Sequence, residues 1–165
     1  MTSPYLNKIK KMRIAKELFA ELNSFDENRR IEAKSASAVG KSMMETVCAF
    51  ANEPGLCGGY LLLGAKRTGI AEDGRPVYEP ENIENTDKIQ SDFVAMCNSM
   101  FYVRIRPIIN VEEYLGKTVI VVKIEELPES QKPAYFAKRG LPEGAFRRIG
   151  PSDEKCSEED MYLFY

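Results

Sequence analysis

The stretch Gly59-Tyr60-Leu61-Leu62-Leu63-Gly64-Ala65 is apolar without interruption and follows a further glycine, Gly58. A strand with one face in water alternates apolar and polar residues. An unbroken run of strand length, bounded by glycines, belongs to a central strand buried on both sides. The chain has 165 residues with 44% apolar content, enough for one compact domain with its own core around that strand.

Apolar residues at helical spacing mark the elements that pack beside it. Tyr5, Ile9, Met12, Ala15, Phe19 and Leu22 predict one helix over residues 4–22, surrounded by Lys8, Lys10, Lys11, Arg13 and Lys16 and closed by Asn23-Ser24. Met43, Met44, Val47, Cys48 and Phe50 predict a second over 41–51. Glu53-Pro54-Gly55 ends it, because proline disfavours helix in the residue before it. Ile89, Phe93, Met96, Cys97 and Met100 predict a third over 86–100. Residues 30–34 read as a short strand, and 66–84, with Gly69, Gly74, Pro76 and Pro80, as a turn-rich excursion. Strands over 102–111 and 118–125 form a hairpin about Leu115-Gly116-Lys117, and 134–137 with 145–149 form a second about 140–144. Ser157 with Asp160 reads as an N-cap. It opens a helix in which the chain stops, so the chain is expected to be the N-terminal piece of a longer protein. The predicted class is α+β: a mixed, largely antiparallel sheet with helices packed mainly on one side.

Histidine is absent, which excludes Ser-His-Asp and Cys-His catalysis. Cys48, Cys57, Cys97 and Cys156 show no C-x-x-C spacing, so no metal centre is expected and the thiols read as buried or free in a reducing cytosol. No apolar run approaches the ~20 residues that span a bilayer, and the lysine-rich residues 1–13 lack the apolar core of a secretory signal. A cytoplasmic location with no membrane partner follows as the expectation. The net charge of −2, with 29% charged residues of mixed sign, confines any nucleic-acid surface to a local patch.

Several short motifs then fall in a telling order. Glu27 precedes a strand ending in Glu32-Ala33-Lys34, and a helix ends in Ala49-Phe50-Ala51-Asn52. Gly58-Gly59 opens the apolar strand that closes on Gly64, and Pro133-Ala134-Tyr135 and Phe146-Arg147-Arg148-Ile149-Gly150 come later. Together they resemble the Schlafen AlbA-like domain over residues 25–165, with residues 1–24 as an N-terminal helix outside the resemblance. That family is described as a DNA-binding domain of bacterial transcriptional regulators, is frequent in proteins related to the RecG helicase, and was formerly grouped as a divergent AAA ATPase. Two departures stand out. The loop from Glu53 to Cys57 is longer than usual. Lys66-Arg67-Thr68-Gly69 stands where the family usually carries an aspartate.

The resemblance implies a nucleic-acid-binding module, DNA in the first instance, that is non-catalytic by itself and serves transcription regulation or a helicase-related parent. If the strand ends are neighbours, Lys34, Lys66, Arg67, Lys138, Arg139 and Arg148 present a basic surface to phosphates, with Tyr135 and Phe136 as stacking candidates. Animal Schlafen nucleases imply a second reading, a metal-dependent endoribonuclease using Glu27 and Glu32 with Mg or Mn. Arg67 at the third carboxylate position opposes it. A third reading comes from Ser35-Ala36-Ser37-Ala38-Val39-Gly40-Lys41-Ser42, a phosphate-loop pattern with serine in the first glycine position. Lys41 and Ser42 are candidate phosphate contacts, while ATP is not expected. A protein-interaction module, including a homodimer, is the remaining alternative.

Overall fold

The computed structural model describes residues 3–38, 40 and 42–165. Its main sheet holds β1 (Ile31–Lys34), β2 (Gly59–Leu63), β5 (Ile108–Tyr114) and β6 (Lys117–Ile124), in the order β1-β2-β6-β5. β1 runs parallel to β2, and the other pairings are antiparallel. The fold is α+β with a mixed, mostly antiparallel sheet.

The apolar runs of β2 and β6 are unbroken because both faces of the sheet are covered. Leu61, Leu63, Ile120, Val122 and Ile124 point into a core with α3 (Ser42–Asn52) and α4 (Thr86–Ser99). Leu62, Val119 and Val121 point the other way, against Leu18, Phe19 and Leu22 of α2 (Ala15–Phe25). Helices α3 and α4 thus share one face, and α2 occupies the opposite one. Gly58 and Gly59 allow the close approach that opens β2. At Gly58 φ is +80°, and a Cβ would lie 1.9 Å from the Ile124 carbonyl oxygen; at Gly59 it would lie 2.5 Å from the Phe50 ring.

Three expected elements are arranged differently. The single helix over 4–22 is two, α1 (Pro4–Lys11) and α2, broken at Met12–Ile14. The break is held by tertiary partners: the Arg13 amide donates to the Tyr60 hydroxyl (3.1 Å) and the Ala15 amide to Glu112 Oε1 (3.0 Å). The turn-rich excursion is a hairpin of β3 (Ala65–Ile70) and β4 (Pro76–Pro80), with a bulge between Arg67 and Gly69. Pro76 and Pro80 sit at the ends of β4, where proline is tolerated. The expected pairing of 134–137 with 145–149 is also replaced. β7 (Phe146–Ile149) pairs with β8 (Ser152–Lys155), while Phe136 bridges to Phe101. Ser157 and Asp160 do cap each other reciprocally, but the turn they open is a 3-10 helix, Glu159–Phe164.

Candidate nucleic-acid interface

The C-terminal end of β1 and the start of β3 meet around one carboxylate. The Gly64 amide donates to the Lys34 carbonyl (2.8 Å), which brings the end of β2 to the end of β1. Glu81 lies across this junction. It accepts from the Ala36 amide (2.7 Å) and faces Lys66 at 3.8 Å. Arg67 turns to Asp26 (2.9 Å), whose other oxygen takes the Tyr78 hydroxyl. Burial alone would raise the Asp26 carboxyl, but Tyr78, the Glu27 amide and Arg67 together hold it below its ordinary value. Lys34, 3.9 Å from Glu32, Lys66 and Arg67 thus lie at the junction of β1 and β3, each with its own carboxylate partner, and Lys66 and Arg67, adjacent on β3, turn to opposite sides of the hairpin.

Behind that junction lies a buried charge cluster. Arg148 has no exposed side-chain surface and donates through Nη1 to Glu32 (2.9 Å) and Asp153 (2.8 Å). Its Nη2 donates to the Asn28 and Ile31 carbonyls at 2.8 and 3.2 Å, and its guanidinium lies 4.9 Å from the Phe50 ring centroid. Arg148 thus belongs to the interior and is removed from the set of phosphate contacts: its side chain is fully buried and both terminal nitrogens donate within the fold, while its buried Nε has no partner. Period-two alternation was the available signal, since it sets Arg148 on the same inward face as Phe146 and turns Ile149 outward.

Glu27 and Glu32 stand side by side here. Glu27 accepts from the Ala33 amide (3.0 Å). Burial, the Glu27 carboxyl against it and the repulsion between the two push Glu32 up to about 7, against the pull of Arg148. These are the two carboxylates a divalent cation would need. Among the described residues no group of three or more acidic, cysteine or histidine side chains lies close enough to hold a metal ion.

The remaining predicted cations sit elsewhere. Arg139 lies over the Phe136 ring at 4.3 Å and reaches Glu45 of α3 at 3.5 Å, and Lys138 beside it is exposed. Ser42 is exposed at the start of α3, and Lys41 lies outside the described residues. The end of α3 and the start of the long loop after it serve packing. Asn52 is fully buried and clasps Ala134 through its amide and carbonyl at 2.6 and 2.9 Å, and Glu53 takes Arg147 in a two-point grip of 2.9 and 3.2 Å. Sequence reasoning passed over these clasps, and over Tyr102, Arg104 and Arg106, which are exposed on the segment before β5.

A family model described as Schlafen, AlbA_2 matches residues 27–157. The chain belongs to this Schlafen AlbA-like family. α2 lies outside the matched residues yet supplies the core with Leu18, Phe19 and Leu22. The solution structure of the N-terminal domain of a Nitrosomonas europaea protein, described as related to the ATP-dependent DNA helicase RecG, is 51% identical. Its TM-score is 0.72, over 88% of this chain and 95% of that one. The DIP2311 protein of Corynebacterium diphtheriae shares the fold at 15% identity and a TM-score of 0.52, over 90% of this chain and 28% of that one. None of the curated proteins compared with the chain matches it. No helix among the described residues is long and apolar enough to cross a membrane.

Proposed function

We propose that this Schlafen AlbA-like domain binds nucleic acid, DNA in the first instance, and works as a recognition module of a transcription regulator or a RecG-related protein in the cytoplasm, with no turnover of its own. What supports the reading is the placement of Lys34, Lys66 and Arg67 at the junction of β1 and β3, where Glu32, Glu81 and Asp26 respectively face them. Lys138 and Arg139 add a second cationic point near the start of α3. Phosphate neutralisation by such groups supplies most non-specific affinity and makes it salt-dependent. The kinship with a RecG-related N-terminal domain supports the same direction. The test is a titration of duplex and single-stranded DNA at several salt concentrations. Three phosphate contacts predict a slope of log K against log salt of roughly −2.7 on duplex. Lys66→Glu with Arg67→Glu should flatten that slope. No binding at low salt, or a slope of zero, refutes the proposal.

One observation favours a second reading, a Schlafen-type metal-dependent endoribonuclease: Glu27 and Glu32 form a close carboxyl pair, with Glu32 shifted toward neutrality. Arg148 at 2.9 Å from Glu32 opposes a divalent cation there, which ranks this reading second. Cleavage of structured RNA with manganese, abolished in Glu32→Gln, would reverse the ranking.

A further inference from the structure

Residues 101–106 carry a surface whose charges are not internally cancelled. Phe101 and Ile105 are buried, and between and after them Tyr102, Arg104 and Arg106 face water. Tyr102 is 72% exposed and stacks on Tyr135, with ring centroids 5.1 Å apart and planes within 11°. The pair is braced from behind: the Tyr102 amide donates to the Tyr135 carbonyl (2.9 Å), and Phe101 and Phe136 pack at 4.8 Å beneath. A cleft of about 290 Å³ opens beside the rings, lined also by Leu141 and Pro133. Arg104 and Arg106, two and four residues after Tyr102, line a separate groove of about 510 Å³ with Lys8 and Glu125. Lys8 and Glu125 pair with each other at 2.8 Å, while among the described residues neither arginine has a carboxylate partner. The groove therefore keeps a local excess of positive charge next to an exposed aromatic face.

We infer that Tyr102, Tyr135, Arg104 and Arg106 form a binding strip for single-stranded nucleic acid: a base stacks on the tyrosine pair and the following phosphates meet the two arginines. An aromatic platform followed within a few residues by a cationic groove is the chemistry that single strands require. Their bases are free to stack and their backbone tracks positive charge, whereas a duplex keeps its bases stacked on each other. A rigid stacked pair is pre-organised for that contact. The inference rests on the nucleic-acid reading and refines it to a strand type and a second location.

The experiment measures anisotropy of labelled oligothymidylate, oligouridylate and a DNA duplex against the intact chain and exposed-site variants, with thermal melts checking that each variant is folded. Tyr102→Ala is expected to weaken single-strand binding roughly tenfold, to leave duplex binding unchanged, and to be rescued by Tyr102→Phe. Arg104→Gln with Arg106→Gln should reduce the single-strand salt slope by about 1.4. The two oligonucleotides separate DNA from RNA. If single strands lose affinity only in Lys66→Glu with Arg67→Glu, the strip is wrong and the proposed function stands. A change of oligomeric state in Tyr102→Ala, with nucleic-acid affinity intact, would make the strip a contact between copies and overturn the inference. If wild type binds no nucleic acid at low salt, both readings fall.

Discussion

At the β1–β3 edge Lys34, Lys66 and Arg67 each lie within 3.9 Å of a carboxylate, whereas Arg104 and Arg106, on the segment before β5, have none among the described residues. The first surface is a mixed lattice of charge in which each side chain is positioned but partly neutralised. The second is poorer in charges, yet with Lys8 and Glu125 paired to each other the two arginines leave it a positive excess, on the segment that carries the stacked Tyr102. Pairing fixes geometry at the cost of field strength. A paired cation meets a phosphate only by sharing or leaving its carboxylate, while a free one exchanges water and counterions. Positional order and ligand affinity thus pull the two surfaces apart, and they can be perturbed separately.

The paired surface is anchored by Arg148, and the largest effect is expected there. Arg148→Met removes the guanidinium that, among the described residues, alone touches both Glu32 and Asp153, leaving two largely buried carboxyls without it and Glu32 still facing Glu27. Breaking a buried ion pair by deleting one partner costs about 3–5 kcal/mol, and the lost bonds to the Asn28 and Ile31 carbonyls add to it. Urea denaturation should show a large drop in midpoint. A change below 1 kcal/mol or so would mean that the cluster is not the anchor. Arg104→Met, with its side chain in water, should be close to neutral by the same measurement.

A smaller effect separates the surfaces by pH. Glu32 sits at about 7 when folded and at an ordinary value of 4.5 when unfolded. Between those values the folded state binds the extra proton. The contribution of Glu32 to stability is therefore fully present at and below 4.5 and is lost as pH rises toward 7 and just beyond. The loss is on the order of 2 kcal/mol. Asp26, Glu126 and Asp160 are shifted down, so their contributions change only at more acid pH. Urea midpoints at pH 5 and 7.5 should differ in wild type and converge in Glu32→Gln, which keeps an acceptor for Arg148. Equal differences in both proteins would place the titration elsewhere.

The contrast between the surfaces also explains what could be read in advance. Two-sided burial leaves a compositional trace, so β2 was legible as an unbroken apolar run, β6 as a hairpin strand, and the α+β class from the order of elements. The break between α1 and α2 left none, because it is made by Tyr60 and Glu112, distant in sequence. Strand β8 is Ser152-Asp153-Glu154-Lys155, all polar, and carries no periodic signal at all. At the candidate interface the neighbouring ends of β1 and β2, which bring Lys34 near the start of β3, were legible from the strand assignments. The pairing of Glu32 with Lys34 or an arginine was legible from its place at the strand end, whereas the partners of Lys66 and Arg67 were not, since they depend on how β3 lies against β1 and α2. Arg148 was misplaced because arginine usually lies at the surface, and the alternation with Phe146 outweighed that preference. Tyr102, Arg104 and Arg106 were hidden inside an expected strand over 102–111, which begins only at Ile108.

The finest test removes the neutralising charge and leaves the cation in place. In Glu81→Gln the Ala36 amide keeps an acceptor, while Lys66 loses the negative charge 3.8 Å away. Lys66 is 58% exposed and its partner 33%, so the change is screened and small. Nucleic-acid affinity should rise about two- to threefold at low salt, and the gain should vanish as ionic strength shrinks the Debye length. Glu125→Gln performs the same operation on the other surface by freeing Lys8 beside Arg104 and Arg106. A duplex that tightens with Glu81→Gln alone lies on the β1–β3 edge. A single strand that tightens with Glu125→Gln alone lies on the tyrosine–arginine strip. If neither change moves either ligand at low salt, neither surface feels the phosphates, because a charge removed within reach of a bound polyanion must alter its affinity.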